Sequence, residues 1–311
     1  MNAERSGANR VVRQNEYGGP ENITIEVRPI PTPGPGEAVV RVHAAGLNPV
    51  DWKVAASAAL AEEFGVPVPA GYGHDLAGVV VALGEGASGV QVGDRVVGGA
   101  RGAAIADYAV VAADRLTAVP ADVPLAVAAT LPIAGRTAAA AISLLGLGSS
   151  DTVLIGGAAG GVGVLATQLA VHTGATVLAT ASPANHGFLR ELGAIPVSYD
   201  GDLAANVRAL GLSPTAATDL QGSTTARAAL ELGVAPARIT TIATDPIPGT
   251  VPTGGGGAPA GTLPRLLDAL ATGGLRVEIA EEFPIERTAE AVAMLRDGHV
   301  RGKLVVVTGA E

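Results

Sequence analysis

Val153-Leu154-Ile155-Gly156-Gly157-Ala158-Ala159-Gly160-Gly161-Val162-Gly163 is the stretch on which the reading of this chain turns. It opens a run from Thr152 to Leu189 that contains no Asp, Glu, Lys or Arg. Hydropathy alone would make that run a membrane span. A spanning helix stays apolar and continuous for about 20 residues, whereas five glycines fall between Gly156 and Gly163. The run reads instead as a buried strand, a glycine turn, a helix and a second strand.

The rhythm continues downstream. Strands are expected at 153–155, 176–180, 195–198, 218–220 and 238–242. Helices are expected from Gly161 to about Thr173 and over 184–192, 203–210 and 225–232. Such alternation predicts an α/β fold with a doubly wound parallel sheet. Ahead of it, 124–145 is Ala/Leu-rich and helical in propensity. Behind it, 244–264 is rich in Gly and Pro and reads as a mobile loop, followed by a helix at 263–271 and a last strand at 304–307. Residues 22–120 have a different character. Strand candidates at 23–27, 38–44, 76–83, 94–97 and 108–111, separated by Gly/Pro turns, suggest an antiparallel barrel or sandwich.

A strand running into glycines and then a helix suits a pyrophosphate, because the backbone approaches closely and the helix N-terminus favours an anion. Ala158 stands where the strict G-x-G-x-x-G string has its first glycine, so a packing turn without ligand stays open as the alternative. The end of the second strand reads Thr180-Ala181-Ser182-Pro183-Ala184-Asn185-His186, with no acid before Glu191. A site for NAD usually places Asp or Glu there, on the ribose 2′-hydroxyl. Its absence favours NADP(H), with Ser182, Asn185 and Tyr199 as donors to a 2′-phosphate and Arg190 as the nearest cation. Ser182 and Asn185 also suit a helix N-cap.

Composition narrows the classes. The 311 residues include no Cys, which excludes disulfides, iron–sulfur clusters, Cys-ligated zinc and a thiolate nucleophile. A net charge of −9, with 20 basic residues spread thinly, speaks against nucleic-acid binding. The N-terminal residues show no apolar signal segment, so a soluble, cytoplasmic protein is expected.

Several strings now fall into place in chain order. They are Ala44-Ala45-Gly46-Leu47-Asn48-Pro49-Val50-Asp51-Trp52-Lys53, Gly73-His74-Asp75-Leu76-Ala77-Gly78, Val92-Gly93-Asp94-Arg95-Val96, Leu131-Pro132-Ile133-Ala134-Gly135-Arg136-Thr137-Ala138, the glycine turn, and Gly298-His299-Val300-Arg301-Gly302-Lys303. Together they resemble the medium-chain dehydrogenase/reductase superfamily and, within it, the zinc-free quinone oxidoreductase (zeta-crystallin-like) branch. The resemblance implies a GroES-like β-barrel domain, residues 1–123 completed by 283–311, and a Rossmann NADP(H)-binding domain, residues 124–282. Zinc-dependent relatives place Cys where Asn48 stands and His-Glu where His74-Asp75 stands, so no metal is expected.

By the same resemblance, Asn48 and Lys53 line the cleft near the nicotinamide, where Lys53 either stabilises or protonates a developing oxyanion or is a surface lysine paired with Asp51. Asp51 is a further catalytic candidate that either organises its segment or acts as a base. His74 is a hydrogen-bonded structural residue near the cleft, and Tyr72 is an alternative proton donor or a packing residue of the N-terminal domain. Expected cofactor contacts are Asn48, Thr137, Ala159, Gly160, Gly161, Val162, Ser182, Asn185, Tyr199, Ile242, Ala243 and Lys303, the last either reaching the cofactor or simply solvated. The expected function is NADPH-dependent reduction of a quinone or an α,β-unsaturated carbonyl. The alternatives are an enoyl reductase acting on a thioester or polyketide-like substrate and an NADPH-binding regulatory protein without turnover. The implied partners are a small-molecule substrate and a second copy in a homodimer, with no nucleic acid and no membrane.

Overall fold

The computed structural model describes residues 7–243 and 245–309. The chain starts with an antiparallel pair, β1 (Ala8–Gln14) and β2 (Ile23–Pro29). The long strand β3 (Glu37–Gly46) leads into two short helices, α1 (Pro49–Ala56) and α2 (Ala58–Phe64). Then come β4 (Ala70–Gly71), which pairs with β1, and β5 (Asp75–Leu83), β6 (Arg95–Gly99), β7 (Tyr108–Ala112) and β8 (Thr117–Ala118). α1 and α2 were not expected. The signal for α1 was nevertheless present: Asn48, Pro49 and Asp51 supply a cap residue, a first-turn proline and a first-turn acid.

The helical stretch expected at 124–145 is broken in two, α3 (Leu125–Ala128) and α4 (Leu131–Leu145). Next come β9 (Thr152–Gly156), α5 (Gly161–His172), β10 (Thr176–Thr180), α6 (His186–Glu191), β11 (Ile195–Val197), α7 (Leu203–Ala209), β12 (Ala216–Asp219), α8 (Thr224–Glu231) and β13 (Ile239–Thr241). The Gly/Pro-rich segment is not a plain loop: it holds β14 (Val251–Pro252) and a single 3₁₀ turn at Gly255–Gly257. The strands form one six-stranded parallel sheet in the order β11-β10-β9-β12-β13-β14. Counted from β9, this is the 3-2-1-4-5-6 order of a doubly wound dinucleotide fold. β9 and β10 are buried except at their first residues, as both faces are covered. Leu154, Leu178, Val207 and Ile239 belong to the buried core of this unit.

The last elements are α9 (Thr262–Ala271), β15 (Ile279–Pro284), α10 (Thr288–Asp297) and β16 (Lys303–Val307). β15 and α10 were not foreseen. β16 pairs with β15 in parallel and with β3 antiparallel, so the chain end closes onto the first unit. The seven-stranded sheet runs β15-β16-β3-β5-β6-β8. β3 carries β5 along one edge and shares the other between β7, at Glu37–Arg41, and β16, at Ala44–Gly46. Arg10 ties start to end: its guanidinium holds Asp107 at 2.7 Å and the Thr308 carbonyl at 2.6 Å.

Two compact units result: residues up to 133 with Leu263–Gly274 and 279 onward, and residues Ala134–Thr262 with Leu275–Glu278. The first therefore reaches ten residues beyond position 123. There α3 packs on β3, so closely that a Cβ on Gly46 would lie 2.3 Å from the Ala129 carbonyl oxygen. Among the described residues, no helix is long and apolar enough to cross a membrane.

Candidate functional site

In the second unit the chemistry is written in backbone. Gly157 turns the chain out of β9 at φ 67°, a conformation open to glycine. A Cβ on Gly163 would lie 2.1 Å from the Gly157 carbonyl oxygen, and one on Gly156 would lie 2.4 Å from Thr225 Oγ1. Those glycines are required by the turn and by helix–strand packing. Gly160 is different: its Cβ would meet only the Gly157 oxygen, at 3.3 Å. Local packing barely requires glycine there, and in dinucleotide folds glycine at this place lets the backbone come close to a pyrophosphate. Ala158 is fully buried and donates its N–H to the Thr180 carbonyl at 3.2 Å; its φ is not positive, so the missing first glycine costs nothing.

Ala159, Gly160, Gly161 and Val162 thus form the turn and first turn of α5, whose leading N–H groups lack intrahelical acceptors and favour an anion. The turn sits between β9 and β12, where the strand order reverses and open α/β sheets bind ligands. A nicotinamide dinucleotide fits this cradle. Ser182 stands at an N-cap position, but its hydroxyl accepts from Asn185 Nδ2 at 3.3 Å, and neither side chain caps a helix. Tyr199 is exposed, and Thr137 is buried on α4. Ile242 follows β13 and donates its N–H to the Asp219 carbonyl at 3.1 Å, while the Ala243 N–H is held by Thr241 Oγ1 at 3.0 Å.

Sequence reasoning missed Asp219. Buried at the end of β12, it accepts from the N–H groups of Gln221, Gly222 and Ala226 at 3.0–3.2 Å and so fixes the entry to α8. An acid shortly before Gly222-Ser223 and a helix is the signal that could have found it.

In the first unit the chemistry lies in side chains. Asn48, Asp51, His74, Asp75 and Lys303, from three distant segments, are all buried together. The Lys303 ammonium donates to the Leu47 carbonyl and to Asn48 Oδ1, the latter at 2.6 Å. The Asn48 amide nitrogen donates to Asp75 Oδ2 at 2.9 Å and to the Gly46 carbonyl at 3.2 Å. Asp75 also accepts the Ile133 N–H at 3.1 Å. Asp51 accepts the Asn48 N–H at 2.7 Å, capping α1, and its other oxygen meets His74 Nδ1 at 2.5 Å.

Burial sets the charges of this cluster. It pushes the Asp75 carboxyl up to about 7, against the opposing pull of Lys303 and Asn48. It holds Lys303 below its ordinary value, against Asp75 and Asp51. For His74 burial also disfavours the charged form, but the Asp51 hydrogen bond and the charges of Asp51 and Asp75 outweigh it and hold the imidazole above its usual value.

Three expectations change here. Lys303 is not solvated but buried within the first unit. Lys53 is exposed and is not paired with Asp51; its ammonium lies 5.9 Å over the Trp52 ring. Asn48 has committed both amide hydrogens, so in this arrangement it has none left with which to polarise an acceptor.

The same donors do not fit zinc. Catalytic zinc takes three protein ligands. Here no thiolate exists, His74 Nδ1 is bound to Asp51, Asp75 is bound to an amide and a backbone N–H, and the Lys303 cation lies within the network.

Residues 34–121 match the alcohol dehydrogenase GroES-like domain, and residues 226–306 match the zinc-binding dehydrogenase domain. A chloroplast envelope quinone oxidoreductase homolog of Arabidopsis thaliana is 37% identical over 200 residues, covering 59% of this chain and 58% of its own length. The match thus spans less than two thirds of that relative. The solved quinone oxidoreductase from Coxiella burnetii is 27% identical with a TM-score of 0.78, covering 97% of this chain and 100% of that one. The CurK enoyl reductase is 26% identical with a TM-score of 0.85, covering 96% and 99%. With a GroES-like domain joined to a Rossmann domain, the chain belongs to the medium-chain dehydrogenase/reductase superfamily.

Proposed function

We propose that this protein is a zinc-independent, NADPH-dependent oxidoreductase that transfers hydride to a quinone or an α,β-unsaturated carbonyl. The observation that carries the reading is the glycine cradle at the switch point of the parallel sheet, with Gly160 left free of any strong packing demand. When bound, the nicotinamide ring supplies the hydride from its C4. The α5 N-terminus with Ala159, Gly160, Gly161 and Val162 holds the pyrophosphate. Ser182, Asn185 and Tyr199 face the 2′-phosphate side, where no carboxylate repels it. Ile242 and Ala243 offer backbone groups to the carboxamide, and Thr137 contacts the nicotinamide end. The reading of zinc independence is supported by a buried cluster that already holds the Lys303 ammonium.

The test is NADPH oxidation, followed at the nicotinamide absorbance band, with menadione, 1,4-benzoquinone and 2-cyclohexen-1-one, before and after chelator treatment. Turnover unchanged by chelator is expected, with NADPH preferred over NADH. No absorbance loss with any acceptor would overturn the reading, and zinc-dependent alcohol oxidation would replace it. The similarity to the CurK enoyl reductase supports a second reading, reduction of a thioester-linked enoyl chain; a crotonyl thioester reduced while all free acceptors fail would select it. Tight NADPH binding without hydride transfer to any acceptor would point to a regulatory protein.

A further inference from the structure

Hydride transfer to a quinone or an enone is half a reaction: the product also needs a proton. Other side chains of the first unit that carry exchangeable protons are poorly suited to that task. Lys53 is exposed over Trp52. The Lys303 ammonium is committed to Leu47 and Asn48. The Tyr72 phenol is buried, and burial together with Asp51 holds its pKa well above the ordinary value, making it a weaker acid still.

His74 is arranged differently. Its Nδ1 lies 2.5 Å from Asp51 Oδ1, which fixes the ring and places a proton on Nδ1. Its Nε2 is buried and has no hydrogen-bond partner among the described residues. A buried ring nitrogen left unpaired is costly unless something is meant to meet it. His74, Asp51, Tyr72 and Gln14 line one cleft of the first unit, about 20 Å³ in volume, which is room for a water molecule. Phe64 packs edge-on against the imidazole at 6.2 Å and shields it on that flank. The charged groups acting on the ring are Asp51, Asp75 and Arg101.

We infer that His74, oriented by Asp51, supplies the proton that completes the reduction, delivering it from Nε2 through a water in this cleft. The inference rests on the reading under Proposed function. In an enone, hydride adds to the β-carbon, the carbon–carbon π bond breaks and an enolate forms. The imidazolium Nε2–H bond then breaks, the cleft water passes a proton to the enolate, and the saturated ketone forms. His74 is left neutral, with its Nδ1 proton still on Asp51, and solvent reprotonates Nε2. A quinone takes the same hydride and proton to become the hydroquinone. Asp51 is a positioning residue: it fixes the tautomer and favours the imidazolium. The raised affinity of His74 for its proton is consistent with a group that must be charged near neutral pH.

The test uses the full chain with NADPH and 2-cyclohexen-1-one. For the wild type, kcat is expected to fall as pH rises through the His74 pKa, since the acid form is needed. His74→Asn should lower kcat by about 10²-fold, leave NADPH affinity within about twofold, and lose that pH limb. Asp51→Asn should move the limb to lower pH. Independently of turnover, ¹⁵N NMR of the histidine rings, assigned by difference with His74→Asn, should show Nε2 titrating while Nδ1 stays protonated. An unchanged kcat and pH limb in a folded His74→Asn overturns the inference, as does an Nε2 protonated at no accessible pH. If His74→Asn does not fold, an Asp51→Asn variant with an unshifted limb overturns it equally. Absence of NADPH turnover with every acceptor instead refutes the underlying function, while the NMR result still judges the His74 geometry.

Discussion

The two units build their sites from opposite materials. The cradle of the second unit is backbone: a left-handed Gly157, two glycines that admit no Cβ, and the unpaired N–H groups of α5. The cluster of the first unit is side chain: Asn48, Asp51, His74, Asp75 and Lys303 in one buried hydrogen-bonded set. A backbone site tolerates almost any change of charge and almost no change of volume. A buried side-chain site is sensitive to charge above all, since its members tune one another's protonation. That contrast tells which substitutions matter where.

The largest effect should come from volume in the cradle. Gly163→Val places its Cβ on Gly157 and Ala158 backbone atoms that cannot yield. NADPH affinity, measured by calorimetry, should fall at least about 100-fold, about 2.7 kcal/mol, and the melting temperature should fall with it. Gly160→Ala sharpens the point. Its backbone is extended, at φ −80° and ψ 175°, and its Cβ meets one atom at 3.3 Å. The melting temperature should barely move while NADPH affinity drops. Equal losses of stability in both variants would mean that Gly160 serves the fold and not a ligand.

The next effect comes from charge in the cluster. Asp75 titrates at about 7 when folded, against about 3.9 in an unfolded chain. Between roughly pH 4 and 7 the folded chain therefore holds the extra proton, and stability falls as pH rises through that window. His74, whose proton is held more tightly when folded, adds in the same direction above about pH 6.5. Lys303, held low by burial, acts at the alkaline end, where stability recovers as pH rises toward about 10.4. Thermal melts at pH 5 and 7.5 should show the higher pH less stable by about 5 °C, and Asp75→Asn should remove most of the difference. A wild-type melting temperature constant over that interval would break the charge side of the comparison.

The same contrast explains what could be read in advance. Backbone chemistry leaves a local trace, because spacing of glycines between a strand and a helix is contiguous. Thr176–Thr180 and the start of α5 at Gly161 fall where the pattern placed them. Side-chain clusters leave no such trace: Lys303 meets Asn48 across 255 positions, and no periodicity announces that. Only the family strings link Asn48, His74 and Lys303, and such strings carry no information on which hydrogen bonds each residue makes. β14 and β15 were missed because Val251–Pro252 is two residues long and Ile279–Pro284 is mostly charged or half exposed. α10 was missed although Ala291 and Val292 bury one face of it.

The smallest effect should be at Lys53, and it tests the comparison most directly. Lys53 shares α1 with Asp51, only two residues away, yet Asp51 is buried in the cluster and Lys53 points its ammonium across Trp52 in solvent-exposed surroundings. If the chemistry of the first unit depends on burial, proximity in sequence should count for little. A cation–π contact at an exposed site is worth about 0.5–1 kcal/mol, so Lys53→Ala should cost about a degree or two in melting temperature and change kcat less than about threefold. The pH limb assigned to His74 should not shift, because Lys53 is not among the charges acting on that ring. A Lys53→Ala loss approaching that of His74→Asn would show that an exposed cation takes part in the chemistry. The proton source would then have to be sought on the surface of α1 and not in the buried cluster.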